Sequence, residues 1–507
     1  MSDVAGTAWS SRVPTRRQQQ LMVGLCVVWV LAWGLRATLI DTRFSGSDSM
    51  FPLCQDLYRL LIRGDLHQLL AWLRATEVHP PLPYALATAL AIPAGFSQAT
   101  VRLSGVLLHA LAVVQIYGLA GTVRPRDRAH LDAGWVASGL LATTPMAVGR
   151  FRMDYPDALI AVLLLASLHL SLALDLRRLR SALGLGLIVG LGALTHLRYP
   201  VLLFPAGVLL LIRQAWTLRA LRNAALGFGL ALALSGWWYL MQFHAVRFNA
   251  GMSTAAGVQT EGRLTGYFWS PPGILALTLL ALCGVVAARR AWRPRAWQML
   301  VATWGVGYAA LLLVIDPVPR YCLPLVPLSA LLAATALSRL VQWLPRFRAL
   351  ALLGAVGLSA GGMTGLELQR PPLAVAHGEL VTVGMIRPDD RDRGAFRRMT
   401  ARLLREHRQT LLVGDSDSAL HHAHLQRQLL PEQAMWLDAQ QTRDMLAGGE
   451  GVWALLVVSP SADGLRGGVW RAEGEAAWRV FKGHRRRELF RLKDATPFTL
   501  HLYRLAP

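Results

Sequence analysis

Two carboxylates and one arginine stand out as residues whose types could do chemistry. Asp48 lies in Gly46-Ser47-Asp48-Ser49-Met50-Phe51, and Asp157 lies in Arg152-Met153-Asp154-Tyr155-Pro156-Asp157. Arg320 lies in Asp316-Pro317-Val318-Pro319-Arg320-Tyr321-Cys322-Leu323-Pro324. A positioned carboxylate takes the proton of a hydroxyl as that hydroxyl attacks. An arginine offers a planar fork of donors that fits phosphate oxygens. Fixed donors of this kind stabilise anionic charge that grows in a transition state. Each residue also has a plain structural reading. Ser47-Asp48-Ser49 is good capping material ahead of a helix over Met50–Ile62. Tyr155-Pro156-Asp157 is a helix start with the acid at the end the dipole favours. An interfacial arginine can simply reach for water along its stem. Residue types alone leave these alternatives open.

Other groupings are weaker. His421, His422 and His424 sit on a soluble helical stretch without a carboxylate or cysteine partner at ligand spacing, so no metal site is expected there. Gly414-Asp415-Ser416-Asp417-Ser418 looks like a strand-to-helix turn, but one glycine is too little for a phosphate loop. Of the four cysteines, Cys26, Cys283 and Cys322 fall in or beside apolar runs, and Cys54 is read as a loop residue. Their spacing defines neither a disulfide framework nor a zinc site.

The elements that must position these residues are membrane helices. Hydrophobic residues are 54% of the chain and charged residues only 16%, against about 25% charged in soluble domains. Apolar runs of about 20 residues recur from Leu21 to Leu366, each long enough to cross a bilayer core of ~30 Å. The net charge of +22 does not point to nucleic acid. Nearly all the basic residues are arginines, and many sit in short clusters between apolar runs, which is topology information, and anionic lipid is the fitting partner. Arg12, Arg16 and Arg17 before Leu21–Ile40 read as a retained signal anchor with a cytoplasmic N-terminus.

Six arginine clusters mark the cytoplasmic side: 12–17, 124–128, 177–180, 213–222, 289–295 and 339–348. Neighbouring clusters on one side must be joined by an even number of crossings. Three runs separate the first two clusters: Leu21–Ile40, Leu82–Phe96 and Val101–Gly121. The second is short and interrupted by Pro83 and Pro93, so it is assigned to the outer membrane surface. The count becomes about eleven spans, the last near Ala349–Leu366, with the C-terminus outside. External loops then fall at 150–157, 195–200, 243–272 and 315–320, and the spans themselves read as nearly free of charge. This topology collects ionisable residues of both signs on one face: Asp48, Asp56, Asp65, Glu77 and His79, then Arg150 to Asp157, His196 to Tyr199, His244 to Arg263, and Asp316 to Tyr321. A polar site at the outer boundary is expected. Trp237-Trp238-Tyr239 and Tyr267-Phe268-Trp269 read as an aromatic belt at that interface.

From about residue 367 the chain reads as a soluble domain. Ala395–Glu406 carries apolar residues at helical spacing, and Thr410–Val413, Val452–Val458 and Phe498–Tyr503 read as strands. A small α/β domain with a mixed or parallel sheet is expected. The predicted organisation is a cytoplasmic tail over 1–20, a membrane domain over 21–366 and an extracytoplasmic domain over 367–507.

Four segments together resemble the GT-C superfamily of lipid-dependent glycosyltransferases, specifically the family-39 group of protein O-mannosyltransferases and lipid A aminoarabinose transferases. They are the acidic first-loop segment at Asp48, Glu77-Val78-His79-Pro80-Pro81-Leu82, the acidic segment ending at Asp157, and Arg320-Tyr321 with the prolines that follow. Their order and spacing agree over about residues 20–340. The resemblance implies a polytopic helical fold with surface helices in the first external loop. It implies inverting transfer of a sugar from a polyprenyl phosphate to an acceptor on the outer face. Asp48 would be the general base. His79, Asp157, Arg198, Arg320 and Tyr321 would bind substrate, with Arg320 and His79 facing the lipid phosphate. Two departures stand out. Relatives commonly carry a second acid where this chain has Ser49, which leaves metal dependence open, and no other cofactor is expected. Relatives often have lysine after the Leu-Thr of the fifth helix, where this chain has His196 with Arg198 close by. The sugar and the acceptor (a lipid, a polysaccharide or a protein hydroxyl) are not readable. A GC-rich, bacterial source is the compositional expectation, hence an inner membrane with the site facing the periplasm. A transporter or flippase, and a membrane scaffold, are the competing functions.

Overall fold

The structure is a computed structural model of the 507-residue chain. It describes residues 15–40, 50–64, 66–75, 80–96, 98–123, 132–153, 155–213, 216–243, 274–314, 319–343 and 348–368, and beyond these the C-terminal strands alone. The chain divides into two compact units, one holding most of residues 1–370 and one holding the C-terminal strands.

The first unit is helical. Its helices are α1 (Arg16–Ile40), α2 (Met50–Arg63), α3 (Leu66–Ala75), α4 (Leu82–Ala91), α5 (Gln98–Val123), α6 (Ala133–Thr143), α7 (Pro145–Met153) and α8 (Tyr155–Ala173). They continue as α9 (Leu179–Ala193), α10 (Arg198–Arg213), α11 (Leu218–Met241), α12 (Ile274–Ala291), α13 (Pro294–Val314), α14 (Val326–Leu340) and α15 (Arg348–Leu368). Among the described residues five helices are long and apolar enough to cross a membrane: those over Arg16–Arg36, Ala99–Val123, Tyr155–Ala173, Leu218–Met241 and Tyr321–Leu340. Outward faces are apolar as lipid contact requires; on α11, Leu218, Phe228 and Leu240 are all exposed. The chain is a multi-pass helical membrane protein.

In lipid, helices gain little from burying leucine and instead associate by close approach and by hydrogen bonds. Both devices are present. On α12, a methyl group at Gly284 would run into the Leu332 carbonyl oxygen of α14, so glycine permits the two backbones to touch. Polar side chains tie neighbouring helices. Trp304 Nε1 on α13 donates to Ser329 Oγ on α14 at 2.9 Å. Ser138 Oγ on α6 donates to the Val113 carbonyl of α5 at 2.9 Å. Asn223 Nδ2 on α11 donates to the Leu176 and Arg177 carbonyls at 2.9 and 3.1 Å. Thr217 caps α11 by accepting from the Ala220 N–H at 3.2 Å.

The α6–α7–α8 stretch corrects the expected external loop at 150–157. Thr144 precedes Pro145 and is extended, with φ −65° and ψ 121°, as the residue before a proline tends to be. The helix breaks there, and α7 starts at once. Arg150 and Arg152 therefore lie in the last turn of α7, where cations suit the dipole, and both are buried. The spans are not free of charge either: Arg102 of α5 and Asp157 of α8 are 3% exposed. Cys54, read as a loop residue, is a buried residue of α2. Trp238 corrects the aromatic-belt reading, being fully buried in the bundle, while its neighbour Trp237 is exposed. Tyr267–Trp269 lie outside the described residues. The short run after His79 is α4, followed by a 3-10 turn at Ile92–Ala94 as Pro93 ends the helix.

The second unit contains β1 (Val375–Ala376), β2 (Glu379–Leu380), β3 (Thr410–Val413), β4 (Met435–Leu437), β5 (Ala454–Pro460), β6 (Arg486–Lys493) and β7 (Phe498–Leu505). Strands β3 to β7 form one sheet in the order β4-β3-β5-β7-β6. β3 pairs in parallel with β4 and β5, and β7 pairs antiparallel with β5 and β6. The three strands expected from the sequence are β3, β5 and β7. The helix expected at 395–406, His421 to His424 and the turn at 414–418 lie outside the described residues.

Candidate functional site

Three segments distant in sequence meet at one point in the membrane unit. The first turn of α8 supplies Asp157, the first turn of α10 supplies Arg198, and a 3-10 turn at Pro319–Leu325 supplies Tyr321. Arg198 Nη2 stands 2.9 Å from Asp157 Oδ1. Their side chains are only 12% and 5% exposed, so the pair is largely withdrawn from solvent. The guanidinium lies over the Tyr321 ring, 3.8 Å from its centroid, in cation–π contact. His196 completes the group: its Nδ1 is 3.1 Å from the Arg198 backbone nitrogen, and its Nε2 is 3.1 Å from Arg198 Nη2. Cys322, next to Tyr321, is fully buried.

The local sequence explains why Arg198 is held there. α9 ends in a tight turn in which the Leu194, Thr195 and His196 N–H groups bond back to the Gly190 and Gly192 carbonyls. The Tyr199 N–H then bonds to the His196 carbonyl at 3.1 Å and starts α10. Tyr199 is wholly buried, and its hydroxyl is 2.5 Å from Ser167 Oγ in the middle of α8. Its ring lies against Gly192, where any side chain would collide with it. Tyr239 of α11 donates to the Ala193 carbonyl at 2.9 Å, and the Leu82 N–H opening α4 donates to the Leu194 carbonyl at 3.3 Å. The α9–α10 turn is thereby fixed from three sides. Two of these ties come from α8 and α11, and the third comes from the segment that follows His79.

Nearby, α5 and α7 meet closely. A methyl at Gly105 would strike the Phe151 carbonyl oxygen, and His109 stacks on the Phe151 ring with centroids 4.6 Å apart. Buried Arg102 lies one turn before Gly105 on α5, and buried Arg152 follows Phe151.

Of the residues read from the sequence as site candidates, Asp157, Arg198 and Tyr321 are brought together. Arg320 lies in the same 3-10 turn as Tyr321, with its side chain outside the description. Asp48, Ser49, His79 and Asp154 lie outside the described residues. His196 and Tyr199 belong to the outer-face group that the sequence collects, without an individual role there. Ser167 is not legible in the sequence, because a serine within an apolar run carries no signal. Among the described residues no group of three or more His, Cys, Asp or Glu stands together as metal ligands would.

The fold of the membrane unit is shared with solved membrane proteins, in line with the resemblance its motifs carry. The family described as "Dolichyl-phosphate-mannose-protein mannosyltransferase" matches residues 78–239, a stretch that includes His79, Asp157 and Arg198. Among solved structures, ArnT from Cupriavidus metallidurans in the apo state is similar with a TM-score of 0.61 at 14% identity, covering 95% of this chain and 97% of that one. The same protein bound to undecaprenyl phosphate is similar with a TM-score of 0.57 over the same shares, again at 14% identity. An oligosaccharyltransferase from Archaeoglobus fulgidus, tethered to an acceptor peptide, has a TM-score of 0.50 at 13% identity, covering 96% of this chain and 74% of that one. No curated protein sequence matches the chain.

Proposed function

We propose that this chain is an inverting glycosyltransferase that moves a sugar from a polyprenyl phosphate to an acceptor at the outer face of a bacterial inner membrane. The observation that carries this reading is the buried group of Asp157, Arg198 and Tyr321, gathered from three segments of a GT-C fold. A transporter has no evident need of it at the ends of helices. The solved ArnT structure with undecaprenyl phosphate supports a polyprenyl phosphate as carrier. In this reading the N-terminus is cytoplasmic and the membrane domain spans 21–366 in eleven crossings. The domain over 367–507 is α/β and faces the periplasm.

The chemistry is a single displacement. Asp48 takes the proton of the acceptor hydroxyl, whose oxygen attacks the anomeric carbon. The bond from that carbon to the phosphate oxygen breaks, and the polyprenyl phosphate leaves carrying the electron pair. A phosphate leaves readily, so one base is enough. Arg320, with His79 and Arg198, supplies donors to the phosphate as its charge grows. Tyr321 holds Arg198 by its ring face, and Asp157 holds the sugar or the acceptor.

Binding tests the reading without knowledge of the acceptor. Wild-type protein in nanodiscs is expected to bind a polyprenyl monophosphate sugar. Arg320→Ala should weaken this at least about tenfold, or ~1.4 kcal/mol. Equal binding by Arg320→Ala would remove that residue from the phosphate site, and no binding by folded wild type would reject the donor class.

A further inference from the structure

In the proposed reaction, Asp157 and Arg198 each serve a substrate group, yet here they serve one another at 2.9 Å. We infer that this ion pair is a resting lock that the donor opens: the lipid phosphate takes the guanidinium of Arg198, and the released Asp157 carboxylate turns to the acceptor hydroxyl. The inference rests on the donor being a polyprenyl phosphate.

Three features of the site support an exchange rather than a fixed pair. Charges this far out of water cannot be parted at small cost, so the pair opens only as another anion takes the guanidinium, and the freed carboxylate is then poised for a hydrogen-bond donor. A phosphate brings the negative charge Arg198 then needs, and the incoming hydroxyl donates to Asp157. Tyr321 grips the guanidinium by its face, 3.8 Å away, and a cation–π contact uses none of the N–H edges. The fork can re-aim without leaving the ring. His196 also holds it loosely. Both Arg198 groups at 3.1 Å from the imidazole are donors, and a neutral imidazole has a single acceptor nitrogen. The two contacts cannot both be hydrogen bonds at once. Against this, the backbone of Arg198 is anchored by Tyr199 on Ser167 and Gly192, so the side chain alone moves.

A lock of this kind imposes an order: donor first, acceptor second. It also fixes the sign of a mutational effect. A carboxylate that competes with phosphate for Arg198 lowers the apparent affinity by the fraction of protein that is locked. A carboxylate that merely supports the site would raise the affinity.

The test is undecaprenyl phosphate binding to the full chain in nanodiscs. Asp157→Asn should bind it about threefold to tenfold more tightly than wild type. The doubly neutral variant Asp157→Asn/Arg198→Gln leaves no uncompensated charge, so it guards against misfolding of the single variant, and it should bind at least about tenfold more weakly than wild type. Tighter binding by the first and weaker binding by the second establish the exchange. Equal or weaker binding by folded Asp157→Asn overturns it, and so does unchanged binding by the double variant. If wild type itself binds no polyprenyl phosphate, it is the donor assignment that fails, and the lock falls with it.

Discussion

Replacing Asp48 by asparagine is expected to abolish sugar transfer while the protein still inserts and folds. General-base catalysis contributes about 10²–10⁴-fold, and asparagine keeps the size and hydrogen-bonding oxygen of the side chain while losing its basicity. Asparagine is also as good a helix cap as aspartate. The substitution therefore separates the two roles the residue types left open for Ser47-Asp48-Ser49. If Asp48 only caps the helix beginning at Met50, transfer and thermal stability both survive. If it is the base, transfer in proteoliposomes falls by two orders of magnitude or more, with an unchanged thermal midpoint by tryptophan fluorescence. Full activity in Asp48→Asn would remove the base from the mechanism.

The second large effect is on stability. Arg198→Ala strands a carboxylate that is 5% exposed at its side chain. Breaking a buried pair from one side costs about 3–5 kcal/mol, much more than replacing both partners, because the remaining charge has lost both water and its counter-ion. The cavity over Tyr321 adds to this. Thermal unfolding in detergent should show a markedly lowered midpoint for Arg198→Ala, with much of the loss recovered in Asp157→Asn/Arg198→Gln. Lysine at 198 should restore only part, since it lacks the planar fork that lies on the Tyr321 ring while reaching Asp157. A midpoint unchanged by Arg198→Ala would mean that the pair is solvated and contributes little.

These two effects also mark where the sequence was informative. The long helices of the membrane unit are legible by their apolar length, and β3, β5 and β7 by β-branched and aromatic residues. Asp157, Arg198 and Tyr321 each stood out as ionisable or aromatic residues at the ends of apolar runs. Their meeting did not, because it depends on how α8, α10 and a 3-10 turn pack, and hydropathy has no term for that. The break at Thr144-Pro145 shows the same limit. A proline in an apolar run signals a boundary, but the chain resumes as α7, whose backbone packs against Gly105 and whose Arg150 and Arg152 are buried, and no local signal gives that. Trp238 departs from the aromatic-belt expectation for a related reason. Trp237 and Trp238 are adjacent on α11, so they point about 100° apart and meet different surroundings. Serine 167 carried no signal at all, since its role is set by the tyrosine it meets from another helix.

Making a glycosidic bond and carrying a lipid across the bilayer leave a sugar label in different places. The most direct measurement follows the label of a radiolabelled polyprenyl monophosphate sugar in sealed proteoliposomes supplied with a total cell-envelope extract as acceptor. Glycosyl transfer predicts that label leaves the polyprenyl carrier for a new product, with free polyprenyl phosphate appearing in equal amount. Label that crosses to the opposite leaflet still attached to polyprenyl phosphate, with no new product, would contradict the account and establish the chain as a flippase.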